Sequence, residues 1–375
     1  MYKITSKQLC FIILGLVIVS QKTYPTIYIR NGGKDSWIAT IIASIIILLY
    51  FILSIKVFKK SNCYDLYDIY CSSFGKILGN IFHIFYIISL MLTLVECAGV
   101  ESSAMHTNLM LETPIWYLLI FLTIPAIDIV KKGPKSILAT TIIGIILMIL
   151  AGINLAILTS TYKHITFILP MFQNVFTWEF LLCTLQILGL YAHVTLVYPY
   201  LDHVTKKDKL LKHGVLTMLF LIQMQIVSTL GVLMTFRIDR LNNLSYPKLT
   251  QTQLVSILRF LESGELFVML QTIGGWYVKY VLVLALTLKA LKKIRIDGKY
   301  TIYIITLFIF AFTNYIADDL LLFFKYLNLY TYVSLINFFI IPLLAIVIFN
   351  FKNNRKNKKK KAKNNNSQNS VNNQS

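Results

Sequence analysis

The chain has 375 residues, of which 57% are hydrophobic and only 14% charged, too apolar a balance for an ordinary soluble domain. A net charge of +20 would suit a nucleic-acid binder, but eight of its positive residues lie in one terminal run, Lys352 to Lys363, and most others in short loops. That distribution fits the anionic inner face of a bilayer and argues against nucleic acid as a partner.

A bilayer core of roughly 30 Å takes about 20 apolar residues of helix. Ten segments approach that length, at about 8–29, 36–57, 77–102, 113–131, 136–158, 175–201, 213–236, 265–291, 300–324 and 329–350. The first lacks the small-residue cleavage site of a signal peptide. It is interrupted by Ser20, Gln21, Lys22, Thr23, Tyr24 and Pro25, where helix is expected to give way. After the second segment, residues 64–74 suggest an interfacial helix on the inner side with a tyrosine belt. The third carries Glu96 and Glu101. Glu96 lies at a depth where it could pair with Lys22, either lining a pocket or as a structural ion pair. Glu101, nearer the outer surface, is expected to be solvated. The sixth segment is interrupted by Gly189, Tyr191, His193, Thr195 and Pro199; a lone helix histidine there is either a packing residue or a ligand contact. In the outer loop 237–264, residues 249–261 form an amphipathic stretch with Leu254, Ile257, Leu258 and Leu261 on one stripe. Lys279, in the eighth segment, is expected to snorkel inward. Asp318 and Asp319 should be solvated, and residues 351–375 should form a basic, disordered tail.

With the first residues in the cytoplasm, lysine and arginine fall mostly on the inner side: Lys3 and Lys7, then Lys56, Lys59, Lys60 and Lys76, then Lys131, Lys132 and Lys135, and so on to the tail. This positive-inside pattern supports ten spans with both termini cytoplasmic. Ten spans divide into two halves of five, about 8–158 and 175–350, with opposite orientation. The expected fold is therefore an all-α polytopic membrane domain over residues 1–350, built as a 5+5 inverted repeat with broken first and sixth helices.

The titratable residues offer no route to catalysis. None of the five cysteines stands in a CxxC pair, none of the six histidines in HExxH, and there is no GxSxG or Walker-type loop. No catalytic residue, metal ligand or cofactor is assigned. A pocket between two broken helices offers freed amides to a carboxylate and freed carbonyls to an ammonium, which favours an amino acid zwitterion as ligand.

Several short pieces occur in a telling order: Ile4-Thr5-Ser6-Lys7-Gln8, Gly33-Lys34-Asp35-Ser36-Trp37, Glu112-Thr113-Pro114-Ile115-Trp116, Leu169-Pro170, Tyr198-Pro199, and Glu265 with Tyr277-Val278-Lys279. In these the chain resembles, from about residue 4 to 350, the B subunit of bacterial spore germinant receptors, within the amino acid–polyamine–organocation superfamily. The resemblance implies a sensing subunit in the spore inner membrane that works beside an A-type subunit and a C-type lipoprotein and recognises a small-molecule germinant within the lipid bilayer. The sequence departs from the family at Ser20 to Thr23, where small residues are usual, and at Ser263, where the family often has arginine. The residues expected to line the ligand site are Ser20, Gln21, Lys22, Thr23 and Tyr24 of the first segment, Glu96 and Val100 of the third, Gly189, Tyr191 and His193 of the sixth, and Thr272 and Trp276 of the eighth. An amino acid permease working by alternating access is the competing reading, because fold alone does not fix function.

Overall fold

The structure, a computed structural model, describes residues 3–205, 207–254 and 263–355, and no side chain of residues 263–266. The side chains of Ser263 and Glu265, most of the amphipathic stretch 249–261 and the tail from residue 356 therefore lie outside it.

The described residues are helical almost throughout. The chain opens with α1 (Ser6–Thr23) and α2 (Thr26–Gly32), followed by α3 (Ser36–Ser61), α4 (Leu66–Phe74) and α5 (Lys76–Asn108). Next come α6 (Ile115–Lys132), α7 (Pro134–Leu158), α8 (Trp178–Tyr191), α9 (Tyr198–Leu201) and α10 (Leu210–Thr235). Then follow α11 (Ile238–Leu241), α12 (Pro247–Gln253), α13 (Ser263–Lys293), α14 (Thr301–Ala317) and α15 (Leu320–Ser334), the last continuing past residues 335–340 as helix to residue 355. Among the described residues, seven helical stretches are long and apolar enough to cross a membrane. The three other expected spans fall on α1, α6 and α14. Here α1 ends in the polar run Gln21-Lys22-Thr23, α6 carries Asp128, Lys131 and Lys132, and α14 has only 17 residues.

Side-chain caps set where several helices begin. Thr5 and Gln8 close a reciprocal capping box on α1, Thr177 accepts from the Phe180 amide at α8, and Asp319 accepts from the Leu321 and Leu322 amides at α15. The first segment does break, at the C-terminal end of the expected interruption. Ser20 to Thr23 are still helical, and the chain leaves the helix at Tyr24 (φ −126°, ψ 55°), the residue before Pro25. Steric conflict with a following proline ring explains that position.

The sixth segment differs from expectation. It has no unwound gap: α8 tightens into a 3₁₀ stretch, Ala192–Val197, and then continues as α9. Pro199 sits in the first turn of α9, where its missing N–H is not needed. Six residues is long for 3₁₀ winding. The stretch packs beside a π-helical turn, Leu335–Ile340, and the Thr195 hydroxyl donates to the Phe338 carbonyl at 2.5 Å.

Asp35 pins the loop that leads into α8. Its carboxylate, 1% exposed, accepts the Phe172 and Asn174 amides, both at 2.8 Å. Asp35→Ala should remove two hydrogen bonds to a charged acceptor, at about 1–3 kcal/mol in all because the half-exposed Phe172 and Asn174 amides can turn to water. The purified variant should melt earlier in detergent and be cleaved faster within residues 170–177; unchanged melting would show that the loop is held by other contacts.

Candidate functional site

The end of α1, the middle of α5, the 3₁₀ stretch after α8 and the middle of α13 meet at a group of buried polar side chains. At its centre is Glu96 of α5, fully buried, and Lys279 of α13, also fully buried, places Nζ 2.6 Å from Glu96 Oε2. The ammonium also donates to Ser20 Oγ at 2.5 Å and lies 5.2 Å from the centroid of the Trp276 ring, within reach of a cation–π attraction. Tyr24, at the break between α1 and α2, donates its hydroxyl to the other carboxylate oxygen, Glu96 Oε1. Two ions withdrawn from water are tolerated only when well paired and hydrogen-bonded, and here both carboxylate oxygens are engaged.

Around this pair the aromatic residues hold the helices in register. Tyr24 stacks on Trp276 with centroids 6.2 Å apart and planes 16° from parallel, while Trp276 Nε1 donates to Thr23 Oγ1 at 3.2 Å. His193 Nε2 is 4.0 Å from Glu96 Oε2 and 2.7 Å from the Tyr330 hydroxyl, which donates to Thr93 at 2.8 Å. A polar chain thus runs from Lys279 through Glu96 and His193 to α15 and back to α5. Next to it, the Gln21 side-chain amide is buried with no hydrogen-bond partner for either end among the described residues, although its backbone carbonyl accepts from Tyr28 at 3.1 Å.

Six expected site residues therefore come together: Ser20, Thr23, Tyr24, Glu96, His193 and Trp276. Val100 lies one turn from Glu96 on the same face of α5, and Thr272 two turns from Lys279 on α13; both are buried. Gly189 and Tyr191 serve helix contacts instead. A Cβ on Gly189 would run into the backbone carbonyl of Thr331, and the Tyr191 hydroxyl is 2.8 Å from Ser44 Oγ on α3.

The expected pairing of Lys22 with Glu96 is not formed. Lys22 follows Ser20 by two positions, about 200° round the helix, so once Ser20 faces Glu96, Lys22 faces away. It is half-buried and makes no salt bridge among the described residues. Lys279 takes its place and does not snorkel, being 0% exposed. The sequence held a signal for this pair, a lysine and a glutamate deep in two apolar segments, but not the facing that chose Lys279 over Lys22. Tyr330 and Thr93 carry no distinguishing sequence signal, because tyrosine and threonine are common in such helices. Among the described residues no three His, Cys, Asp or Glu side chains gather to hold a metal ion.

Residues 3–320 match the family described as spore germination protein. No curated protein sequence matches significantly. Among solved structures the chain is similar to three mutants of a manganese transporter from Eremococcus coleocola, at TM-scores of 0.61, 0.59 and 0.59. Each pair shares 14% identity over 90% of this chain and 78% of the other. At that identity the likeness shows a shared all-helical fold.

Proposed function

The chain belongs to the spore germination protein family, and on that premise we propose that it is the ligand-sensing membrane subunit of a spore germinant receptor. It binds a small germinant, an amino acid, at mid-depth in the bilayer and passes the event to A-type and C-type partner subunits. The domain crosses the spore inner membrane ten times as two opposed halves with both termini cytoplasmic. It works by binding and not by catalysis.

The observation that carries the ligand class is the buried Lys279–Glu96 pair at the break between α1 and α2. A zwitterion carries the same two charges in one small molecule. Its carboxylate can take over the Lys279 ammonium, its ammonium can take over Glu96 and the Tyr24 hydroxyl, and the Gln21 amide, unpartnered among the described residues, can accept or donate. Exchange of partners would part α1 from α13. A ligand that binds the parted arrangement better shifts the population toward it. Ser20, Gln21, Thr23, Tyr24, Glu96, Val100, His193, Thr272 and Trp276 are the proposed lining; Lys22, Gly189 and Tyr191 act from outside it.

The fold shared with a transporter supports a second reading, an amino acid permease working by alternating access. Deleting the gene in the source organism and following dipicolinate release from purified spores separates the two. Loss of the response to one amino acid, with normal sporulation, is expected. Normal responses to every germinant, together with amino acid uptake by the protein in proteoliposomes, would move the assignment to the permease.

A further inference from the structure

Glu101 was expected to be solvated, and it is not. It follows Glu96 by five residues on α5, about 140° round the helix, and so points away from Lys279. Its side chain is 5% exposed, and Oε2 has no hydrogen-bond partner among the described residues. Glu101 lines a cavity of about 330 Å³ between α5, α6 and α13, none of whose walls belongs to the Glu96 cluster. The other principal walls are Met105, Tyr117, Leu118, Phe121 and Tyr277.

A buried carboxylate without a partner is costly unless it takes up a proton or a cation. The cavity is far larger than one water or one bare ion requires, and it falls in the range of small-ligand sites. Its walls are apolar and aromatic, which suits the body of an organic molecule, and ring faces attract ammonium groups. Methionine adapts to irregular shapes. Tyr117 and Phe121 are 45% and 61% exposed on one face of α6, and with α6 crossing the bilayer in the proposed topology that face meets lipid and the cavity is reached sideways from the outer half of the bilayer. A ligand arriving there must partition into membrane and still carry positive charge.

From this geometry we infer that the cavity binds an amphipathic organic ammonium ion, with its charged end on the Glu101 carboxylate and its apolar body against Tyr117, Phe121 and Tyr277. The site is separate from the germinant site and does not depend on the receptor reading.

The full chain in lipid nanodiscs can be titrated with 2-phenylethylamine, with empty nanodiscs as the background and neutral 2-phenylethanol as the comparison. Saturable binding of the amine is expected, weakened at least about tenfold for the alcohol and in Glu101→Gln, since hydrogen bonds to a charged group are worth about 1.5–3 kcal/mol. Leu118→Trp, which fills the cavity and keeps the carboxylate, should lose binding as well, so that either variant serves if the other does not fold. The double variant Glu96→Gln/Lys279→Met should bind the amine normally. No saturable binding above empty nanodiscs would leave Glu101 as a protonated carboxylic acid only and overturn the proposal. So would equal binding of amine and alcohol, or unchanged binding in Glu101→Gln. Loss of binding in the double variant would place the amine at the Glu96 cluster instead.

Discussion

Lys279→Ala should lower the stability of the folded protein by about 3–5 kcal/mol, the cost of leaving a buried charge without its partner. Glu96 would keep the Tyr24 hydroxyl but lose the only full positive charge within bonding distance among the described residues, and Ser20 would lose its donor. Glu96→Ala should cost a similar amount for the reciprocal reason. The pair itself is a different matter. Two charges in an apolar interior are often replaced at no loss by neutral residues of similar volume. Glu96→Gln/Lys279→Met should therefore recover most of the melting temperature lost in Glu96→Gln or Lys279→Met alone, each of which also leaves one charge unpaired, measured by thermal unfolding in detergent. The non-additivity is the diagnostic quantity. Single variants as stable as the parent would show that Glu96 and Lys279 are not the coupled pair described above. The double variant also tests the functional reading. If the pair exists to be exchanged for a zwitterion, the recovered protein should be inserted in the membrane and yet fail to support amino acid germination in spores. Normal germination with the double variant would reduce the pair to a structural role.

How much of this was legible in the sequence differs from residue to residue. The break in the first segment was written in Tyr24-Pro25, and it is confined to that end of the interrupted stretch because the proline does the breaking while the polar residues before it stay helical. The sixth segment was harder. Tyr198-Pro199 looks like the same signal, yet a proline one residue into a helix starts it smoothly, and the chain tightens into 3₁₀ winding over Ala192–Val197 instead of opening. Glu96 stood out as an expensive residue in an apolar segment. Its partner could not be chosen, because Lys22 and Lys279 satisfy the same one-dimensional rule and differ only in which way their helices face. Glu101 was misplaced for a related reason: nearness to the end of a helix is not exposure when two other helices, α6 and α13, flank that end. Depth along one segment can be read from a sequence, whereas facing belongs to the assembled bundle.

Facing also decides the second large effect. Gly189 on α8 lies against α15 so closely that an added Cβ would overlap the Thr331 carbonyl oxygen, and backbone cannot swing aside as a side chain does. Small residues at such crossings are what let membrane helices approach. Gly189→Ala should cost about 1–3 kcal/mol or somewhat more by overpacking, even though alanine is the better helix former. Gly274→Ala on α13 is the control, since nothing lies within 4 Å of its added Cβ; it should leave the melting temperature unchanged or slightly raised. The consequence of Gly189→Ala reaches the site. His193 sits one turn beyond Gly189, Tyr330 adjoins Thr331, and their side chains meet at 2.7 Å beside Glu96. Spreading α8 from α15 would stretch that contact and leave Glu96 with a looser neighbour. The variant should therefore show both an earlier melt and a displaced germinant dose-response, while Gly274→Ala shows neither. An earlier melt with an unaltered dose-response would mean that the His193–Tyr330 contact supports the fold without shaping the ligand site.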